Sequence, residues 1–346
     1  RRLLADVMGE ALMGAVDEGF LVNDDAKIYV KSMYEIEREV AVNIANMCKQ
    51  NPVRFVSQQV IEGAIAEVER RKTEQMTENG SSGEFKVTRE QRNAVYLALM
   101  HRISIISGGP GRGKTAISEI VAHGFLSAGR YYDKDDILML APTGRAAQRI
   151  TESTGYDAMT AQRAVMALKR GEEPPKGKLI LCDESSMVDI FLANSILKFA
   201  AECNLVFVGD VNQIASVGPG KVLKDMIDCG KVPCILLTEG HRNSGTIAHN
   251  SELINNGMTI DKYCYDEHFT YIPATSDTIG DIIIKDYIEK IAEYGIINVM
   301  LCTAMREKGS VAVSKLNNTL QETLTRGKDE AIFSNNKKFR VGDRVM

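Results

Sequence analysis

Ile105-Ile106-Ser107-Gly108-Gly109-Pro110-Gly111-Arg112-Gly113-Lys114-Thr115 is the stretch that decides the fold. It fits G-x-x-x-x-G-K-[ST], in which glycines let successive backbone N–H groups curl around an anion. An apolar run, Ile103 to Ile106, precedes it, and a helix-like segment, Ala116 to Phe125, follows. The helix N-terminus adds partial positive charge where the loop ends. In this context Gly108, Gly109, Pro110, Gly111, Arg112 and Gly113 form a phosphate cradle. Lys114 reaches the β- and γ-phosphates and Thr115 holds Mg2+. Without the flanking strand and helix, the same residues would be a glycine-rich turn.

Two later strand ends extend the reading. Leu179-Ile180-Leu181-Cys182-Asp183-Glu184 is an apolar strand ending in two carboxylates. At the C-terminal end of a strand in an open α/β sheet, carboxylates face the ligand crevice. There Asp183 binds Mg2+, directly or through water, and Glu184 orients and deprotonates an attacking water. Alone, the Asp-Glu pair would be a helix start. The next strand, Asn204 to Val208, ends in Gly209-Asp210-Val211-Asn212-Gln213. Gln213 both donates and accepts hydrogen bonds, which suits it to touch a γ-phosphate or the attacking water.

Taken together, these residues resemble a superfamily 1 helicase of the RecD-like group, the bacterial RecD2/TraA type, similar to the exodeoxyribonuclease V alpha subunit. The resemblance covers nearly the whole chain. Val87-Thr88-Arg89-Glu90-Gln91 resembles the family's Q motif, which implies that Gln91 reads the adenine edge. The same residues fit a capping box, Thr88 with Gln91 three positions on. Pro142-Thr143-Gly144-Arg145 resembles motif Ia, which implies contact with single-stranded DNA. Leu237-Thr238-Glu239-Gly240-His241-Arg242-Asn243 resembles motif IV and implies that Arg242 is an arginine finger on the γ-phosphate. Asn243 stands where the family has glutamine, and Thr160-Ala161-Gln162-Arg163 where it has Thr-Ile-His-Arg. The resemblance still implies a DNA role for Arg163.

The cofactors implied are ATP and Mg2+, and the partner is single-stranded or duplex DNA. Two further family motifs, one gripping DNA and one with a second catalytic arginine, have no match after Arg242. The chain is therefore expected to be an internal piece that binds adenine nucleotide and unwinds poorly by itself. The function implied is 5′ to 3′ translocation coupled to unwinding. The alternatives are a nucleotide-binding interaction module without motor activity, or a P-loop ATPase acting on another substrate.

Length and composition set bounds. The chain has 346 residues, enough for two or three domains. Its hydrophobic content of 44% and charged content of 25% are those of an ordinary globular chain. The net charge of −4 gives no global nucleic-acid signal, since a groove can be basic in an acidic chain. The seven cysteines show no C-x-x-C spacing and read as mostly buried thiols in a reducing bacterial cytoplasm, not a metal site. No apolar run is long enough to span a membrane.

The expected fold class is α/β, a RecA-like P-loop core with a parallel sheet and helices on both faces. Its strands are Ile103–Ser107, Ile137–Ala141, Leu179–Cys182, Leu205–Val208 and Cys234–Leu237. The predicted organisation has four parts. Residues 1–72 form an N-terminal helical, winged-helix-like domain, with a hairpin around Asn23-Asp24-Asp25 and a buried stripe of Ile36, Val40, Ile44 and Met47. Residues 73–84 form a linker and residues 85–238 the ATPase domain. Residues 239–346 form a partial second RecA-like domain with strands Thr270–Ile272 and Val299–Thr303, cut at the entry to an inserted β domain. The nucleotide site is expected in a cleft between the two α/β units.

Overall fold

The apolar runs become one parallel sheet in the computed structural model, which describes residues 2–25, 27–129, 133–170, 178–239, 245–325, 331–334 and 337–344. The chain opens with α1 (Arg2–Asp17), the antiparallel hairpin β1 (Leu21–Asp24) and β2 (Lys27–Val30), α2 (Lys31–Cys48) and α3 (Gln58–Glu78). Then come α4 (Arg89–Met100), β3 (Ile103–Gly108), α5 (Lys114–Ser127), β4 (Ile137–Ala141) and α6 (Gly144–Thr154). They are followed by β5 (Ala158–Thr160), α7 (Ala161–Lys169), β6 (Leu179–Cys182) and α8 (Ile190–Phe199). The core closes with β7 (Asn204–Gly209), α9 (Val222–Asp228) and β8 (Cys234–Leu237). The sheet order is β5-β4-β6-β7-β3-β8, with every pairing parallel. The five expected strands are all present. The sequence reading missed β5, a three-residue edge strand too short to show a period.

Side chains alternate across the sheet, so each strand feeds two cores. Ile106, Met139, Leu181 and Val208 pack with α3, α4, α5 and α6 on one face. Ile105, Leu140, Ile180 and Phe207 pack with α2, α7, α8 and α9 on the other. The N-terminal helices contribute to both cores. Val40 and Met47 of α2 join the second core, while Ile61, Ala64, Ile65 and Val68 of α3 join the first. The compact unit runs from the N-terminus to Gly245. The expected linker is also shorter, because α3 continues to Glu78 before the Gly-Ser turn.

Charged staples reinforce this packing. Glu119 of α5, nearly buried, takes Arg71 at 2.6 Å and Lys72 at 2.8 Å from α3. Arg54 bonds Asp136 at 2.8 Å, and its guanidinium lies over the Phe125 ring at 4.5 Å. A buried carboxylate needs such partners to offset its desolvation. Phe125 is completely buried between these elements. Phe125→Ala is expected to cost about 3–5 kcal/mol, read as a lower urea midpoint with an unchanged slope.

Residues from Thr246 onward form a second unit. It contains α10 (Thr246–Asn255), α11 (Ile279–Tyr294), α12 (Val313–Leu324) and the antiparallel hairpin β9 (Ala331–Ser334) and β10 (Lys337–Arg340). Buried Asn250 accepts from the Cys264 N–H at 2.8 Å and donates back to the Cys264 carbonyl. The strands expected at 270–272 and 299–303 are not formed among the described residues. An apolar run becomes a strand only beside a partner that completes its ladder bonds, and neither run has one. The cysteines also differ from expectation: Cys182 and Cys203 are buried, whereas Cys48, Cys229, Cys264 and Cys302 are exposed. Those four lie in loops and at helix ends. Among the described residues, no helix is long and apolar enough to cross a membrane.

Candidate active site

Parallel strands with helical crossovers bring their C-terminal ends to one edge of the sheet, where the connecting loops gather. Three adjacent strands, β6, β7 and β3, deliver Asp183-Glu184, Gln213 and the glycine-rich loop to that edge. The loop turns through left-handed backbone at Gly111 (φ 75°) and Gly113 (φ 79°), which glycine adopts without a Cβ penalty. It delivers Lys114 and Thr115 as the first residues of α5. The Lys114 ammonium donates to the carbonyls of Gly108 and, at 3.0 Å, Gly109. Exposed Thr115 begins the helix beside it.

The carboxylate end is shaped by burial and strain. The Asp183 backbone N–H donates to Leu140 at 2.8 Å, and its carboxylate accepts from the Glu184 N–H at 2.8 Å. Glu184 has φ 49°, a left-handed conformation that is rare and costly for a side chain with a Cβ. Among the described residues, buried Glu184 Oε2 has no hydrogen-bond partner. Burial raises the Asp183 carboxyl above its usual range, and the Glu184 charge adds to this; the Glu184 N–H and the Lys114 ammonium pull it down. Neighbouring Cys182 has its thiol pushed up to about 12 by burial, so it is inert as a nucleophile.

A folded-state pKa above the unfolded value favours the protonated carboxyl, so ionised Asp183 costs stability as pH rises through that value. Asp183→Asn is therefore expected to raise the melting temperature of the nucleotide-free protein by a few degrees at neutral pH. The gain should shrink as pH falls toward about 4, where an ordinary carboxylate is also protonated. Thermal melts across pH check this.

Gln213 is exposed; its Oε1 accepts from Ser186 Oγ at 3.4 Å, and its N–H donates to the Asp210 carbonyl at 3.1 Å. A cavity beside it is lined by Ser186, Val211, Lys221 and Lys224. Gln91 is buried and fixed at both ends of its amide. Its Oε1 accepts from the Thr88 N–H at 2.9 Å, completing a capping box, and its Nε2 donates to the Arg112 carbonyl at 3.0 Å. The cap thus also braces the phosphate loop. Thr143 caps α6 by accepting from the Ala146 N–H at 3.2 Å, with Pro142 before it and Gly144 and Arg145 opening the helix. Arg145 follows β4 and Arg163 follows β5, adjacent strands, and both are exposed. Arg242 lies outside the described residues.

Sequence reasoning missed two residues here. Asp210, buried after β7, accepts from the Asn212 N–H at 3.0 Å and lies close to Gly109. Its only sequence signal is a carboxylate directly after a strand. Glu90 is the other: it accepts from the N–H groups of Thr238 at 2.7 Å and Glu239 at 2.9 Å. Nothing local links residues 148 positions apart.

The donor set fits a magnesium–nucleotide. The loop offers N–H groups, Lys114 could supply a cation, and Thr115 and Asp183 could supply oxygen ligands. Glu184 Oε2 has no partner among the described residues to compete for it. Among the described residues no cluster of three His, Cys, Asp or Glu could hold a metal unaided.

Comparison with known proteins finds relatives over the same segment. A family model described as an AAA domain matches residues 86–272. The RecBCD enzyme subunit RecD of Mycobacterium tuberculosis is 31% identical over 166 residues, a match covering 40% of this chain and 28% of that protein. The ATP-dependent RecD2 DNA helicase of Deinococcus radiodurans is 29% identical over 164 residues, covering 46% of this chain and 22% of that one. The chain thus spans about a quarter of the length of these relatives. Among solved structures, the Pif1 helicase of Candida albicans is 18% identical with a TM-score of 0.38, covering 60% of this chain and 55% of that one. The family model covers more than half of the chain, over the segment that holds the glycine-rich loop, Asp183-Glu184 and Gln213, and the chain belongs to the AAA-domain family, with sequence similarity to RecD-type proteins over that segment.

Proposed function

We propose that this chain is the ATP-hydrolysing core of a DNA helicase that moves 5′ to 3′ on single-stranded DNA in the bacterial cytoplasm. The supporting observation is the side-by-side order β6, β7 and β3, which gathers a phosphate loop, a carboxylate pair and a glutamine at one sheet edge. The names of the relatives, a RecD subunit and a RecD2 DNA helicase, point the same way.

In this reading Lys114 turns its remaining N–H toward the β- and γ-phosphates. Thr115 and Asp183 hold Mg2+, which when bound neutralises charge on the phosphate oxygens. Glu184 accepts the proton of the attacking water, and its unpartnered buried oxygen is the atom for that role. Gln213 touches the γ-phosphate or the water. Gln91 keeps a second amide N–H for the adenine edge. Arg242 supplies positive charge to the transferring phosphoryl group. Pro142, Thr143, Gly144, Arg145 and Arg163 contact the DNA strand, with the arginines on its phosphates.

The test uses the full-length protein. ATP hydrolysis should rise on adding a single-stranded oligonucleotide, and a labelled strand should be displaced from a duplex with a 5′ tail but not from one with a 3′ tail. Hydrolysis indifferent to DNA would instead favour an ATPase with another substrate.

A further inference from the structure

Glu90 and Gln91 are neighbours in the first turn of α4, yet they hold different parts of the site. Gln91 holds the phosphate loop through the Arg112 carbonyl at 3.0 Å. Glu90 holds the exit of β8: it accepts from the backbone N–H of Thr238 at 2.7 Å, that of Glu239 at 2.9 Å, and the Thr238 hydroxyl. The side chain of Arg112 closes the triangle, because its guanidinium donates to the Thr238 carbonyl. Loop, helix start and strand exit are therefore one hydrogen-bonded block. The bond from Glu239, then that from the Thr238 hydroxyl, holds the Glu90 carboxyl below its usual range, so it is ionised at neutral pH. Charge-assisted bonds from a carboxylate to backbone N–H groups are about twice as strong as neutral ones.

Position gives this block a consequence. A nucleotide held by the loop N–H groups would load the loop backbone that includes Arg112, and Arg112 is bonded at both its carbonyl and its guanidinium. Thr238 and Glu239 are where the chain leaves β8, just before residues 240–244 and the second unit. We propose that Glu90 is a positioning residue that, with Arg112, transmits phosphate-loop occupancy to the β8 exit. Gln91 carries its own separate bond to the loop. The inference rests on the nucleotide reading of the loop, and it adds a residue that touches no phosphate.

Hydrogen exchange on the full-length protein tests it, because the Thr238 and Glu239 amides are themselves the reporters. A non-hydrolysable ATP analogue should slow exchange at the phosphate loop and, by about tenfold, at Thr238 and Glu239. In Glu90→Ala the response at the loop should persist and that at Thr238 and Glu239 should vanish. Arg112→Ala keeps its carbonyl bond to Gln91 and should likewise lose the distant response. In DNA-stimulated hydrolysis Glu90→Ala should lower kcat about tenfold with KM for ATP changed less than about threefold, at an unchanged melting temperature that excludes a loss of folded protein. Glu90→Gln keeps an acceptor oxygen and should restore part of the exchange response. If both Glu90→Ala and Arg112→Ala retain the response at Thr238 and Glu239, the proposal is overturned. A loop that shows no protection in the unmutated protein would overturn the nucleotide reading and this inference together.

Discussion

Glu184→Gln in the full-length protein is expected to bind ATP with nearly unchanged affinity while its kcat falls by about 10²–10⁴-fold, the usual contribution of a positioned general base. The substitution keeps the shape of a side chain held at φ 49° and removes only its basicity. Lys114→Ala should behave differently. It removes the cation now held by Gly108 and Gly109, so affinity and hydrolysis should fall together. Nucleotide binding by fluorescence, run beside single-turnover hydrolysis, separates the two patterns. Equal loss of affinity in both variants would show that the base and the phosphate ligand are wrongly assigned.

Gly113→Ala should be the most damaging small substitution in the phosphate loop. An added Cβ would lie 2.5 Å from Gln91 Nε2, and Gln91 cannot retreat because its other end completes the α4 cap. The left-handed backbone at φ 79° adds a cost of about 1–2 kcal/mol for any residue with a Cβ. Displacing Gln91 also frees the Arg112 carbonyl. ATP affinity is expected to fall by at least about tenfold, equivalent to about 1.4 kcal/mol. Gly155→Ala is the control: at φ 71° it carries the same strain but meets no atom within 4 Å, and it caps α6 away from the loop. It should lower the melting temperature and leave nucleotide affinity unchanged. Titration calorimetry and thermal melts on both variants decide the matter.

The residues nearest one another in sequence were the legible ones. The phosphate loop, the Asp183-Glu184 strand end and the strands of residues 103–237 are local patterns. Glycine's conformational freedom, a helix N-terminus and short apolar runs each leave their mark within a few residues. The capping box at Thr88 and Gln91 was readable for the same reason, and the hairpin at Asn23-Asp24-Asp25 forms as its turn residues predict. Those features determined an α/β phosphate-binding chain before any tertiary contact was known.

Tertiary structure decided what distance in sequence concealed. That α2 and α3 clasp opposite faces of the sheet depends on which side each apolar stripe finds, and a stripe does not name its partner. The apolar runs at 270–272 and 299–303 look like strands, but a strand exists only where a neighbour completes its ladder, and that choice is not local. The raised carboxyl of Asp183 follows from burial, which the folded chain imposes on it. The clamp of Glu90 on Thr238 and Glu239 joins a helix start to a strand end far away in the chain, and only the parallel stacking of β3 beside β8 brings them together.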